Sequence, residues 1–575
     1  MKRILLLVIL LSSFCFHRSY SQAPGWLWAH ALGATDEEIG QSVAVDAAGN
    51  VYSTGYFEGT VDFDPGIGTT NFTATGSKDV FILKSDSSGN LVWAKRIGGN
   101  ALTESYAIAL DDSGNVYLTG RFSGTVDFDP GTATAAITFS GGSYDLFISR
   151  LSSAGDFVWA KAMPGAATLA YSIDVDAAGN VYTAGVFAGT TDFDPDTGIA
   201  NLSAISWDMF ISKLDPSGSF LWARRTGGNN YDYAYSIAID DAAGGAVYAT
   251  GGFQGLVDFD PGVDTANLSG SSGSSSAFVS KLDSAGNFAW AKEITGIGGH
   301  SGSSVAIASF GKRGVYVTGT FEGTTDFDPG PAVSNLTSAG VNDAFISRLD
   351  SSGNFVWAKA MGGMSFDFGQ SAALAPDGSG SVFTAGVFND SADFDTGAGT
   401  FNLVSNGSSD IFITRLDSMG NLLWAKAAGG TGTEHCKSIA LNASADVFVI
   451  GEFDSPSIAF GFNNTVNANA SGGETDVYLA RLDHLVTGME DVFSVLDISV
   501  YPNPFTQEIV FHIQKQFAGK EPGTLTLFEL TGKEIQSQSI SQDITIIQTK
   551  ALEPGLYLLR ARIGNATATL KMVKY

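Results

Sequence analysis

The chain has 575 residues, among them 70 Gly, 40 Phe and 17 Tyr, only 16% of its residues are charged, and its net charge at pH 7 is −28. Such a composition suits a large all-β protein and excludes one built from long helices, which would want more Ala, Leu, Glu and Lys at a 3.6-residue period. So acidic a chain also excludes nucleic acid as a partner, because it would repel the phosphate backbone.

Residues 1–21 start with Lys2 and Arg3, continue as an apolar run from Ile4 to Leu11, and end on the small residues Ser19 and Ser21. This predicts a secretory signal peptide cleaved after Ser21. The run is shorter than the ~20 residues that span a bilayer, so no transmembrane segment is expected in the mature chain. A lipid anchor at Cys15 is the weaker reading, since Ser12-Ser13-Phe14 does not supply the usual small residue before the cysteine. Once the leader is removed, Cys436 is the only cysteine, and the exported protein must be held by its core instead of by disulfides.

Residues 22–485 are a repeat of about 66 residues, marked by Trp28, Trp93, Trp159, Trp222, Trp290, Trp357 and Trp424, each followed by Ala. A second marker keeps the same period, as in Asn50-Val51-Tyr52 and Asn115-Val116-Tyr117. Within one period, four strands are expected: Tyr106 to Asp111, Asn115 to Phe122, Asp145 to Leu151 and Phe157 to Ala162. The turns between first and second and between third and fourth (Asp-Ser-Gly-Asn, Ser-Ser-Gly-Asn) place Gly where positive φ is needed. Four meandering strands cannot bury both faces alone, whereas units stacked in a ring can, which predicts a β-propeller. The chain enters with a fourth strand that lacks its third, Trp26 to Gly33, and leaves with a third that lacks its fourth, Asp476 to Asp483. The expected fold is therefore a seven-bladed β-propeller closed by the N-terminal strand, which removes an exposed sheet edge.

The elements W-A-K (Trp93 to Lys95), D-x-x-G-N-V-Y-x-T-G (Asp111 to Gly120) and L-D-x-x-G-N (Leu349 to Asn354) resemble the bacterial beta-propeller repeat family called SBBP. The resemblance covers about residues 26–485. It implies the propeller fold and is nearly silent on function, which has to be argued from a site.

Between the second and third strands, an insertion of about 20 residues carries Asp62-Phe63-Asp64-Pro65-Gly66 and its copies, including Asp127 and Asp129. In extended chain the two carboxylates point one way and Phe the other. Paired oxygens make Asp62, Asp64, Asp127 and Asp129 candidate Ca²⁺ ligands, although calcium wants six to eight oxygens. The simpler reading is a buried Phe beside an Asp-capped turn. No catalytic constellation emerges: G-x-S-x-G, H-E-x-x-H and Cys/His ligand clusters are all missing from the sequence. A carboxylate pair copied around a ring meets the same environment each time, and His435 beside Cys436 has no evident orienting group. The chain is therefore expected not to be an enzyme and to need no cofactor, Ca²⁺ aside.

The tight turns fall at one end of the strands, while the insertions and fourth-to-first connections fall at the other. That second end carries unrepeated residues, including Trp207, Tyr231, Tyr233, His300, Phe366 and Phe368. Rings beside acids and amides suit sugar or protein contacts, so Trp207, Tyr231, Tyr233, Phe366 and Phe368 are the candidate binding residues.

Residues 486–496 read as a linker and residues 497–575 as a domain of alternating strands. Its markers are Tyr501-Pro502-Asn503-Pro504, Leu525 to Gly532, Gly555 with Tyr557, and a final strand from Lys571. This segment resembles the C-terminal sorting domain of the type IX secretion system. The resemblance implies a small β-sandwich, the type IX machinery as a partner, and a location in the medium or on the outer-membrane surface of a Gram-negative cell. The expected function is an exported, non-enzymatic binding or adhesion scaffold for a glycan or a surface protein. The alternatives are an exported polysaccharide hydrolase or lyase and a structural surface component.

Overall fold

The computed structural model describes residues 24–270, 275–296, 300–308, 314–461, 465–467, 474–483, 498–501, 507–513, 523–529, 533–540, 544–550, 552–553, 555–563 and 566–574. The expected leader (1–21) and linker (486–496), with Pro502, Asn503, Pro504 and Gly532, lie outside them. Among the described residues the fold is all-β, its one helix being the single 3-10 turn Asp241–Ala243. Two compact units divide the chain, Trp26–His484 and Leu485–Tyr575.

The repeat in the first unit is well represented by Thr103–Leu110, Val116–Phe122, Asp145–Leu151 and Phe157–Met163, which pair antiparallel in chain order. Val116, Tyr117, Leu118, Phe147 and Ile148 are wholly buried. A strand buried on both faces reads as a continuous apolar run, and these do because further sheets cover each side. The turn signature is one hydrogen-bonded device. Asp111 Oδ1 accepts from the backbone N–H of Ser113 and Asn115, while Oδ2 accepts from Asn115 Nδ2 and the Tyr117 hydroxyl. Gly114 between them sits at φ 74°, which only glycine adopts without strain.

Seven such first strands occur among the described residues: Glu38–Val45, Thr103–Leu110, Gly165–Val175, Tyr233–Asp240, His300–Ala308, Phe368–Leu374 and Glu434–Leu441. Each packs beside the next, and Glu434–Leu441 also packs beside Glu38–Val45. Backbone N–H to serine hydroxyl bonds stitch these neighbours, as from Ile108 to Ser42, Ile237 to Ser172, Ile439 to Ser371 and Val43 to Ser438. The N-terminal strand Trp26–Leu32 pairs antiparallel with Asp476–Leu482, His30 opposite Leu479, in a sheet completed by Val447–Phe453 and Glu434–Leu441. No sheet among the described residues closes on itself; the units associate through their faces.

Two contacts recur around the repeat, one between units at five of the seven tryptophans and one within each unit. Trp28, Trp159, Trp222, Trp290 and Trp357 donate from Nε1 to the carbonyls of Ser87, Pro216, Ser284, Ser351 and Ser418, in the following unit's third-to-fourth turn, at 3.1–3.3 Å. Within each unit, the cation one residue before the end of the third strand lies over the ring that ends the turn signature. These pairs run from Lys84 over Tyr52 at 4.8 Å to Arg481 over Phe448 at 5.5 Å.

The insertion is a short hairpin, such as Thr125–Asp127 with Ala136–Thr138. Its first strand pairs with the outer strand of the preceding unit, Val126 opposite Gly99 and Asp127 opposite Gly98, extending that sheet to six strands. Thr324–Asp326 and Ser391–Asp393 do the same. In these three sheets the hairpin covers the edge that the outer strand would otherwise present. The third unit differs again, its hairpin merging into the long strands Val181–Asp192 and Asn201–Leu214.

The C-terminal unit has a three-stranded sheet of Ile498–Tyr501, Glu508–Ile513 and Ile544–Gln548, and a four-stranded one in the order Glu534–Ile540, Gly523–Glu529, Gly555–Ile563, Ala566–Lys574. Ile509, Phe511 and Ile547 from the first and Leu525, Leu527 and Leu559 from the second are wholly buried. Of the sorting-motif residues, Tyr501 ends a strand, Gly555 begins one, Lys571 lies in the last, and the Tyr557 hydroxyl donates to the Glu553 carbonyl at 2.7 Å.

Candidate binding face

The Asp-Phe-Asp segments resolve into turn chemistry. Asp62 Oδ1 accepts from the backbone N–H of Asp64 at 3.1 Å and Thr70 at 2.8 Å, and Asp64 Oδ1 accepts from Gly66. Asp127 and Asp129 repeat this with Asp129, Ala135 and Gly131. The first carboxylate closes the hairpin's end and the second the Pro-Gly turn. Among the described residues no three His, Cys, Asp or Glu side chains gather as metal ligands. Phe128 between the two acids is wholly buried, its ring 5.5 Å from Phe122 and 5.2 Å from Phe147.

Carboxyl pairs occupy several junctions between units. Asp343 begins one third strand and meets Asp367 at the entry to the next first strand; Asp410 meets Glu434, and Asp476 meets Glu38, in the same way. Burial pushes Asp343 up to about 6, and burial with the neighbouring charge of Asp343 pushes Asp367 up to about 7. For the same reasons Glu434 rises to about 7 and Glu38 to about 8. At the equivalent junction of Asp208 with Asp232, Arg225 binds Asp208 at 2.5 Å. All these acids are at most 3% exposed, and most are held by backbone amides, for instance Gly363 N–H on Asp367 at 2.7 Å. They lie where one unit packs on the next. Cys436 is inert: burial pushes its thiol up to about 12, which leaves no thiolate at neutral pH.

The candidate rings divide into two groups. Trp207 and Tyr231 are joined by a parallel bridge, and Tyr231 lies 6.5 Å from Tyr233 with ring planes within 17°. Phe366 and Phe368 occupy the matching places two units on, 6.3 Å apart, away from the tyrosines. Tyr231 and Phe366 are about half exposed, at 50% and 47%. Tyr233 and Phe368 open first strands, Trp207 lies within a long strand, and Tyr231 and Phe366 form isolated bridges two residues ahead of Tyr233 and Phe368.

From Tyr233 the row continues through residues that sequence reasoning misses. Tyr233 stacks on Tyr235 at 5.7 Å with planes 1° apart; Tyr235 lies 5.4 Å from Tyr171, and Tyr171 6.0 Å from Tyr106. The Tyr106 hydroxyl donates to Glu104 at 2.6 Å, and Arg121 binds Glu104 while lying over Tyr106 and over Tyr144 at 4.8 Å. Lys78 sits over Tyr56 at 4.5 Å and within 3.7 Å of Glu104. Aromatic rings, hydroxyls and opposed charges thus run unbroken across four successive units. The signal in the sequence is a position that varies while its flanks repeat, the residue just ahead of Ser42, Ala107, Ser172 and Ser236.

Residues 92–121 match the family described as Beta-propeller repeat, and residues 499–575 match that described as Secretion system C-terminal sorting domain. The chain carries both modules. It is 23% identical over 546 residues, 80% of its length, to an uncharacterised WD repeat-containing protein of Acanthamoeba polyphaga mimivirus. It is 28% identical over 137 residues, 24% of its length, to the regulatory protein FlaEY of Caulobacter vibrioides. It spans only 39% and 14% of those curated relatives. Among solved structures, the extracellular domain of a one-component system from B. thetaiotaomicron aligns with 97% of this chain and 100% of that one. Its identity is 9% and its TM-score 0.23, too low to bear on the fold. The sorting domain implies handling by the type IX secretion system and a place in the medium or on the outer-membrane surface. No helix among the described residues is long and apolar enough to cross a membrane.

Proposed function

We propose that the chain is an exported, non-enzymatic binding scaffold: seven four-stranded blades closed into a ring by the N-terminal strand, delivered outside by the sorting domain, with a ligand taken on the tyrosine-bearing face. Closure is supported by the pairing of Trp26–Leu32 with Asp476–Leu482 and by the packing of the last first strand against the first. The observation that carries the binding role is the contrast between the two ends of the units. One end repeats the same Asp-Gly-Asn turns, while the other concentrates unit-specific rings from Trp207 to Tyr106 on a rigid frame, where binding residues usually sit. The burial of the recurring carboxyl pairs favours binding over hydrolysis, because a general acid has to touch its substrate.

The test is binding and turnover measured together. The full chain is expected to bind isolated outer membranes or purified polysaccharides and to release neither reducing sugar nor unsaturated product from them. Product release would replace this reading by the hydrolase or lyase; no binding at all would leave a structural surface component.

A further inference from the structure

Each first strand contains a β-bulge at the same place, so that one extra residue is thrown out of the ladder. The register breaks fall at Gly40/Ser42, Ser105/Ala107, Ala170/Ser172, Ala234/Ser236, Gly302/Ser304, Gly369/Ser371 and Cys436/Ser438. The residues thrown out are therefore Gln41, Tyr106, Tyr171, Tyr235, Ser303, Gln370 and Lys437. The fold accepts Gln, Ser or Lys at this position, since four units have them. Tyrosine in three adjacent units is thus not demanded by the bulge, and its clustering calls for another reason.

We propose that Tyr106, Tyr171 and Tyr235, continued by Tyr233 and Tyr231, form a binding row for a neutral carbohydrate chain; this deepens the scaffold reading above and rests on it. The rings follow one another at 6.0, 5.4, 5.7 and 6.5 Å, and all are partly exposed. A row of rings suits a polymer that itself repeats a ring, whose C–H faces lie on aromatic surface while its hydroxyls meet tyrosine hydroxyls and amides. Burial holds the Tyr235 hydroxyl up at about 12 and the Tyr171 hydroxyl higher still, so both remain donors at neutral pH. Glu104, Glu37 and Glu58, paired with Arg121 and Lys78, add acceptor and donor groups of both signs at the Tyr106 end. The chain's charge of −28 repels a polyanion, which selects an uncharged polysaccharide over an acidic one.

The experiment is affinity gel electrophoresis and calorimetry of the full chain with four neutral polysaccharides (xyloglucan, galactomannan, laminarin and dextran) and with alginate as the polyanion. The variants are Tyr171→Gln and Tyr235→Gln, which install the residue that the same bulge carries at Gln41 and Gln370. Met419→Gln, an exposed side chain in a third-to-fourth turn of a distant unit, is the control. At least one neutral polysaccharide is expected to bind, with affinity falling at least tenfold in each tyrosine variant and unchanged in the control, and with Tm preserved throughout. Retardation by alginate alone, by none of the five, or equally in wild type and variants would overturn the carbohydrate assignment. Binding to isolated outer membranes separates that failure from failure of the scaffold reading. Loss after protease but not after periodate would keep the scaffold and make its ligand a protein, whereas no binding to membranes or polysaccharides would overturn both.

Discussion

Replacing Phe128 by alanine is expected to destabilise the first unit by about 3–5 kcal/mol, the range for emptying a well-packed aromatic site. The ring is wholly buried, and it fixes a hairpin that supplies the fifth and sixth strands of the preceding sheet. Asp127→Ala removes two backbone hydrogen bonds at the hairpin's end and should cost less, about 1–3 kcal/mol. Chemical denaturation of the two variants, read by the shift of midpoint at constant slope, checks the order. Were Asp127 the costlier loss, the acid pair would be doing more than holding a turn. Added calcium should leave both midpoints where they are.

Stability is expected to fall as pH rises from about 4.5 to about 8, by on the order of 1 kcal/mol or more for each carboxyl pair. Glu38 titrates near 8 in the folded chain, Asp367 and Glu434 near 7, and Asp343 and Asp410 near 6, all above the ordinary carboxyl range. Burial is the first cause in each case. The folded state then holds protons that the unfolded chain has released, so stability is greatest below the unfolded pKa and declines until the folded pKa is passed. Glu38→Gln should flatten the upper part of this dependence, because the amide oxygen it introduces can still accept from Ala34 N–H, as Glu38 Oε2 does at 3.0 Å, but carries no titration. Thermal melts of wild type and variant at pH 5, 7 and 9 decide it. An unchanged slope between pH 7 and 9 would mean that Asp476 and Glu38 do not share a proton-dependent junction.

The repeat, the four strands of each unit and the two orphan strands at its ends are legible in the amino acids because their signals are local. Asp111, Gly114, Asn115 and Tyr117 make one turn within seven residues, and apolar runs flank it. The hairpin's attachment to the preceding sheet is not legible, since Val126 opposite Gly99 is a register between segments with no shared pattern. Nor does the chain announce the indole clamps: Trp222 reaches the Ser284 carbonyl 62 residues away, and a carbonyl has no side-chain signature. Of the candidate face, Trp207, Tyr231 and Tyr233 stand out as unrepeated rings. Tyr106, Tyr171 and Tyr235 hide, because a tyrosine inside an alternating strand reads as core until a bulge turns it out.

The most direct test of the closed ring that would hold this face rigid is amide hydrogen exchange on the full chain, followed peptide by peptide. Residues 26–32 are predicted to exchange as slowly as their partners 476–482 and as the inner strand 447–453, all three opening together. Exchange of residues 26–32 within seconds, while 476–482 stay protected, would contradict closure by the N-terminal strand.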